Sequence, residues 1–231
     1  LATSKPDEIE PWRGPPRGFD FEREVQPVLD RFCVGCHDGS EAGRPDFARK
    51  SEEEKLRINE EYHARTEAAI RTIFTTSFIA LHPYVRRPHA ESHYGMQVPG
   101  EYLADSSPLV QMLKKGHHNV QLDEEGWDRL YTWIDLGAPD HGSWKFSEWG
   151  VPENYYDRRL EILRRFAGRN DDVEAIPPVA DEIPAFVRPP EQRDSAGTPS
   201  CPDWPFDEAE AKRRQQSSDL PPELDVRFGE D

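Results

Sequence analysis

The sequence predicts a mainly α-helical domain with long irregular N- and C-terminal extensions. Two observations carry this. Apolar residues recur at helical spacing in several stretches between positions 19 and 168, most of them with a cap residue ahead or a glycine behind. The flanks lack that periodicity and are rich in proline. The 231 residues therefore divide into an N-terminal arm (1–18), one helical domain (19–168) and a proline-rich C-terminal wrap or linker (169–231).

The arm holds Pro6, Pro11, Pro15 and Pro16, with Trp12 placed to dock on the body. Phe21, Val25, Val28, Leu29 and Phe32 then form one apolar stripe, which predicts a single helix, capped by Asp20, that runs into Cys33. Glycines and Pro45 make 38–50 a loop. Ser51 followed by Glu54 is a capping box opening a second helix. The apolar, β-branched stretch 66–80 is expected to be helical, and 81–104 irregular. Pro108 at a first helical position and Gly116 as a stop bound a helix over 108–115. Asp123 caps another, whose Trp127, Leu130, Tyr131 and Ile134 face inward and which Gly137 and Pro139 end. A last helix fits 153–167, with Tyr156, Leu160, Leu163 and Phe166 inward. Phe186, Trp204 and Phe206 are the residues expected to pin the C-terminal wrap.

Composition excludes whole classes of function. Asp and Glu number 45 against 29 Lys and Arg, a net charge of −16, which repels phosphate backbones and rules against nucleic acid as a partner. At 35% hydrophobic residues and a mean hydropathy of −0.87, no stretch provides the roughly 20 apolar residues of a membrane span. The first residues lack the basic and apolar regions of a signal peptide. The chain reads as a mature or excised piece of a longer protein.

There are three cysteines, too few for a disulfide scaffold. Two of them stand in Cys33-Val34-Gly35-Cys36-His37, and Cys-x-x-Cys-His is the attachment pattern of a c-type haem. Two thiols three residues apart lie on one side of a helical turn, where each can form a thioether with a haem vinyl group. The adjacent imidazole then serves as the proximal iron ligand. A structural zinc site wants four ligands, and the remaining cysteine, Cys201, lies in the proline-rich tail. A redox dithiol belongs in a βαβ context that this sequence lacks.

The distal iron ligand has several candidates. His117 and His118 follow the Gly116 stop, where a chain reversal would carry a side chain across the haem face opposite His37. Gly116 in a left-handed conformation re-aims His117 toward the haem, with His118 pointing away. Met96 lies in a loop and is the alternative, whereas Met112 is on an apolar helix face and reads as core. His82, His89 and His93 form a second cluster, read first as a hydrogen-bonded loop and only second as another metal site. Arg86 and Arg87 suit the planar carboxylates of the haem propionates.

Residues 19–39 (Phe-Asp-Phe-Glu-Arg-Glu-Val-Gln-Pro-Val-Leu-Asp-Arg-Phe-Cys-Val-Gly-Cys-His-Asp-Gly) resemble the start of planctomycete-type cytochrome c domains. Ser-Pro-Leu-Val-Gln-Met-Leu (107–113) and Trp-Ile-Asp-Leu-Gly-Ala-Pro (133–139) are similar to their closing helices. The string from His82 through Gly116-His117-His118 to Trp144 resembles the C-terminal haem domain of the hydrazine synthase alpha subunit. Over residues 19–150 this likeness implies a cytochrome c-like helical fold and one covalent haem c with histidine on both faces. Ordinary members place Met-Pro-Pro near the distal position, and its absence here favours histidine. The tail from Trp204 is similar to linkers that join such domains to further modules. The expectation is an electron-transfer domain in a periplasmic or otherwise extracytoplasmic compartment, with a redox protein or a neighbouring domain as partner. The alternative is a catalytic haem whose open iron face acts on peroxide or small nitrogen compounds.

Overall fold

A computed structural model describes residues 11–66, 72–87, 100, 102–143, 154–172, 174–178 and 182–190. Asp20 caps α1 (Phe21–Glu24) by accepting from the Arg23 amide at 3.2 Å. The chain breaks at Val25 and re-enters α2 (Gln26–Phe32). The single helix expected here is two because Pro27 has no N–H to give the Arg23 carbonyl. Its stripe survives the break: Phe21, Val25, Val28, Leu29 and Phe32 are all buried.

The capping box forms at the start of α3 (Glu52–Thr66). The Glu54 amide donates to Ser51 Oγ at 3.3 Å, and the Ser51 amide donates to Glu54 Oε2 at 3.4 Å. Helix over the whole of 66–80 is not what forms. Residues 72–75 are irregular and α4 spans only Thr76–Leu81. Side chains from elsewhere take the backbone groups a helix would use. Asn59 accepts from the Phe74 amide (2.7 Å) and donates to its carbonyl (2.9 Å), while Asp140 Oδ2 accepts from the Thr75 amide (2.9 Å). Tertiary bonds have outcompeted a β-branched helix whose intrinsic preference is weak.

A 3₁₀ turn (His82–Tyr84) follows α4, and another (Ala104–Ser106) precedes α5 (Pro108–Lys115). Asp123 Oδ1 caps α6 (Glu124–Asp135) by accepting from the Gly126 amide at 2.8 Å. The core lies between α1–α2, α4, α5 and α6. The Phe21 ring meets Phe78 of α4 edge-on at 5.6 Å and Trp133 of α6 at 5.2 Å. Met112 packs against this core as a partly buried side chain.

Helix α7 (Tyr155–Ala167) forms where expected, but none of its residues is buried and Phe166 is 77% exposed. Periodicity marks which face of a helix would be covered, not whether anything covers it. The arm docks through Trp12, whose Nε1 donates to Asp128 of α6 at 3.0 Å. Residues holding Met96, His89, His93, Cys201, Trp204 and Phe206 lie outside those described.

Candidate functional site

The end of α2 delivers the two thiols. Cys33 is its C-cap, and the amides of Cys36 and His37 both donate to the Cys33 carbonyl at 3.0 Å. This tight turn keeps both cysteines as free thiols on one loop, Cys33 partly buried and Cys36 exposed. Burial, with the nearby Cys36 and Asp30 acting the same way, pushes the Cys33 thiol up to about 12.

His37 is held from two sides. Its Nδ1 lies 2.9 Å from the Pro45 carbonyl, which can only accept, so Nδ1 carries the proton and Nε2 keeps its lone pair. A histidine oriented through its second nitrogen by a backbone carbonyl is the usual arrangement of a metal ligand. The Phe47 ring lies 4.9 Å from the imidazole, and the Phe47 amide donates to the His37 carbonyl at 2.9 Å.

His117 stands opposite. Gly116 ends α5 with φ 98° and ψ 110°, a positive φ as expected, but outside the left-handed helical region and suited to glycine. His118 (φ 45°) and Asn119 (φ 60°) then occupy the centre of a turn closed by the Val120 amide donating to the His117 carbonyl at 2.8 Å. Positive φ at both central residues is a type I′ turn, a form that asparagine accepts readily and histidine at some cost. The reversal brings the His117 ring to 6.0 Å from the His37 ring, with 26° between their planes. His118 is exposed and packs edge-on against His117 at 4.7 Å.

His117 Nδ1 is buried and has no hydrogen-bond partner. Burial first, then the charges of His118, His37 and Arg44, lowers its pKa to about 4. Burial also lowers that of His37, against the pull of the Pro45 carbonyl. Both imidazoles are neutral at ordinary pH, the state that binds a metal.

These residues fit the haem implied by the motif. Two imidazoles bonded to one metal from opposite sides, at about 2 Å each, place their ring centroids roughly 6 Å apart, which matches the observed pair. The unsatisfied nitrogen of His117 is an orphan of the kind a metal or cofactor resolves. The thiols share the loop that carries one of the two rings.

Other expected residues have identifiable neighbours. Arg86 stacks over Tyr102 at 5.8 Å and Arg87 over Phe78 at 6.0 Å. Arg44, paired with Glu41 at 2.8 Å, is a cation whose charge reaches both imidazoles, and no motif or spacing marks it in the sequence. His82 is tied to the Phe78 carbonyl through Nδ1 (3.1 Å) and stacks on the Phe78 ring at 5.1 Å. Among the described residues, no group of three or more His, Cys, Asp or Glu side chains gathers as a metal site, and no helix is long and apolar enough to cross a membrane. Compared with protein-family models, curated proteins and solved structures, the chain matches none.

Proposed function

We propose that this chain is a covalent haem c-binding electron-transfer domain with a cytochrome c-like helical fold. Cys33 and Cys36 form the thioethers, His37 is the proximal ligand and His117 the distal one. The observation that carries this is the pair of neutral imidazoles, 6.0 Å apart, beside the Cys-x-x-Cys turn. A bound haem supplies reversible one-electron chemistry at its iron. With His37 and His117 on either side, the protein's own residues would hold the iron from both faces and leave none for a substrate, which favours electron transfer over catalysis. The Pro45 carbonyl fixes the His37 tautomer, and Arg44 supplies a cation suited to a propionate. The electron partner is a redox protein or another domain of the parent polypeptide, in a periplasmic or similar compartment where thioether attachment takes place.

The test is production with a periplasmic haem-maturation system. The chain should gain the mass of one haem, retained after denaturation and lost in the double variant Cys33→Ala/Cys36→Ala. Its ferric spectrum should be low-spin and six-coordinate. Unmodified mass from a haem-loaded preparation ends the reading, and a high-spin spectrum shifts it to the catalytic alternative.

A further inference from the structure

The extended segment 182–190 crosses both loops of the site. The Val187 amide donates to the Arg31 carbonyl at 2.7 Å, a carbonyl in the last turn of α2 that has no helical donor once the chain turns at Cys33. Next to it, the Phe186 ring seats against Gly35, inside the Cys-x-x-Cys loop. Gly35 has no positive φ, so its backbone does not itself call for glycine. What excludes a side chain is Phe186, because a Cβ at position 35 would overlap the ring. Four residues beyond Phe186, the Pro190 carbonyl accepts from Asn119 Nδ2 at 3.2 Å, at the centre of the strained turn that presents His117. One short segment thus grips the end of α2, the proximal loop and the distal turn.

We infer that 182–190 is a latch that holds the His117 turn across from His37, with Phe186, Gly35 and Asn119 as positioning residues for the distal ligand. This rests on the reading of His37 and His117 as an axial pair. The turn carries a non-glycine residue at positive φ, so it has an alternative backbone state to relax into. The latch biases that equilibrium toward the paired arrangement, and loosening it populates a form in which His117 has left the iron. Phe186 and Val187 remain 38% and 43% exposed, so the segment lies over the surface and its release needs no unfolding of the core.

The experiment uses the full chain with haem attached and compares wild type with Phe186→Ala, Gly35→Val and Asn119→Ala. Phe186→Leu serves as the conservative replacement. We expect all three disruptive variants to retain the haem mass while the high-spin fraction rises. Carbon monoxide should bind the ferrous form at least tenfold faster, and Phe186→Leu should recover most of the wild-type behaviour. Hydrogen exchange of the Val120 amide, read in the chain without haem, should speed up in the same three variants. That measurement tests the latch even if no haem attaches to wild type, a result that would sink the haem reading alone. Unchanged spin state, carbon monoxide kinetics and Val120 exchange in variants that retain helical circular dichroism would overturn the latch. Asn119→Ala removes the bond to Pro190 but also the residue that suits the positive φ of the turn, so Phe186→Ala, which leaves the turn's own sequence unchanged, is the variant that decides if Gly35→Val fails to fold.

Discussion

Cys33 and Cys36 sit three positions apart yet face different surroundings. The Cys33 thiol packs against the core and is raised to about 12, whereas Cys36 is exposed. Alkylation needs the thiolate, so limiting iodoacetamide at pH 8 should label Cys36 in the folded, haem-free chain and leave Cys33 untouched until denaturant is added. Peptide mass spectrometry reads this directly, and equal labelling would contradict the packing at the end of α2. The two adjacent histidines separate in the same way. The His117 ring lies 6.0 Å from the His37 ring, near-parallel to it, while His118 is exposed. In the haem-loaded protein, His117→Ala should turn the iron high-spin and open it to cyanide, and His118→Ala should change the spectrum little. Reversed outcomes would mean that the turn presents the other ring.

Capping and burial decide stability at the scale of elements. Asp123 accepts from the Gly126 amide through Oδ1 and from Arg31 through Oδ2 at 2.6 Å, joining α6 to α2. Asp123→Ala should cost about 1–2 kcal/mol in denaturant unfolding. Asp123→Asn should recover most of that, since the half-exposed ion pair adds little. At the end of α4, burial depresses the His82 pKa to about 4, with Arg87 reinforcing it, despite the Phe78 carbonyl. The unfolded chain then binds the extra proton between about pH 6.5 and 4. His82 therefore contributes most above pH 6.5, and its contribution falls away as the pH drops toward 4. The limit is about 3 kcal/mol, reduced by its partial exposure. His82→Gln should flatten the pH dependence of the unfolding midpoint across that window, and an unchanged slope would show that His82 is not the group responsible.

Across the whole molecule, one buried carboxylate ties three segments together. Glu24 of α1 is 1% exposed and receives Arg17 of the arm at 2.5 Å, Arg23 at 3.1 Å and Arg129 of α6 at 2.6 Å. The guanidiniums of Arg17 and Arg129 also stack on Trp12, at 5.6 and 5.9 Å. Removing the carboxylate strands these cations, so Glu24→Gln should destabilise the domain by about 3–5 kcal/mol. The same change should make residues 11–18 the first site of proteolysis; an arm as resistant as in wild type would deny the hub its role. The charge of −16 acts at the same scale. Together with two imidazole ligands, as proposed, it would stabilise ferric iron, so the haem-loaded domain should show a midpoint potential well below that of His/Met cytochromes in a spectroelectrochemical titration. A high potential would point to Met96 as the ligand.

Much of this molecule is written in short stretches of chain. Pro108 and Gly116 set the limits of α5, Asp123 set the start of α6, and Ser51 with Glu54 set the start of α3, because caps and helical periodicity act over four residues or fewer. The Cys33–His37 motif is equally local, and its pattern is legible without a fold. The rest required distant parts of the chain to meet. Asn59 and Asp140 took the backbone of 74–75 from a helix, and only the packed structure brings them there. Gly35 looks like an ordinary loop glycine until Phe186 is seen to occupy its side-chain space. That His117 rather than His118 comes to face His37 follows from two positive φ angles in a turn that faces another loop. Local propensity specifies which elements form; which surfaces meet depends on burial and on satisfying polar groups between residues far apart in sequence.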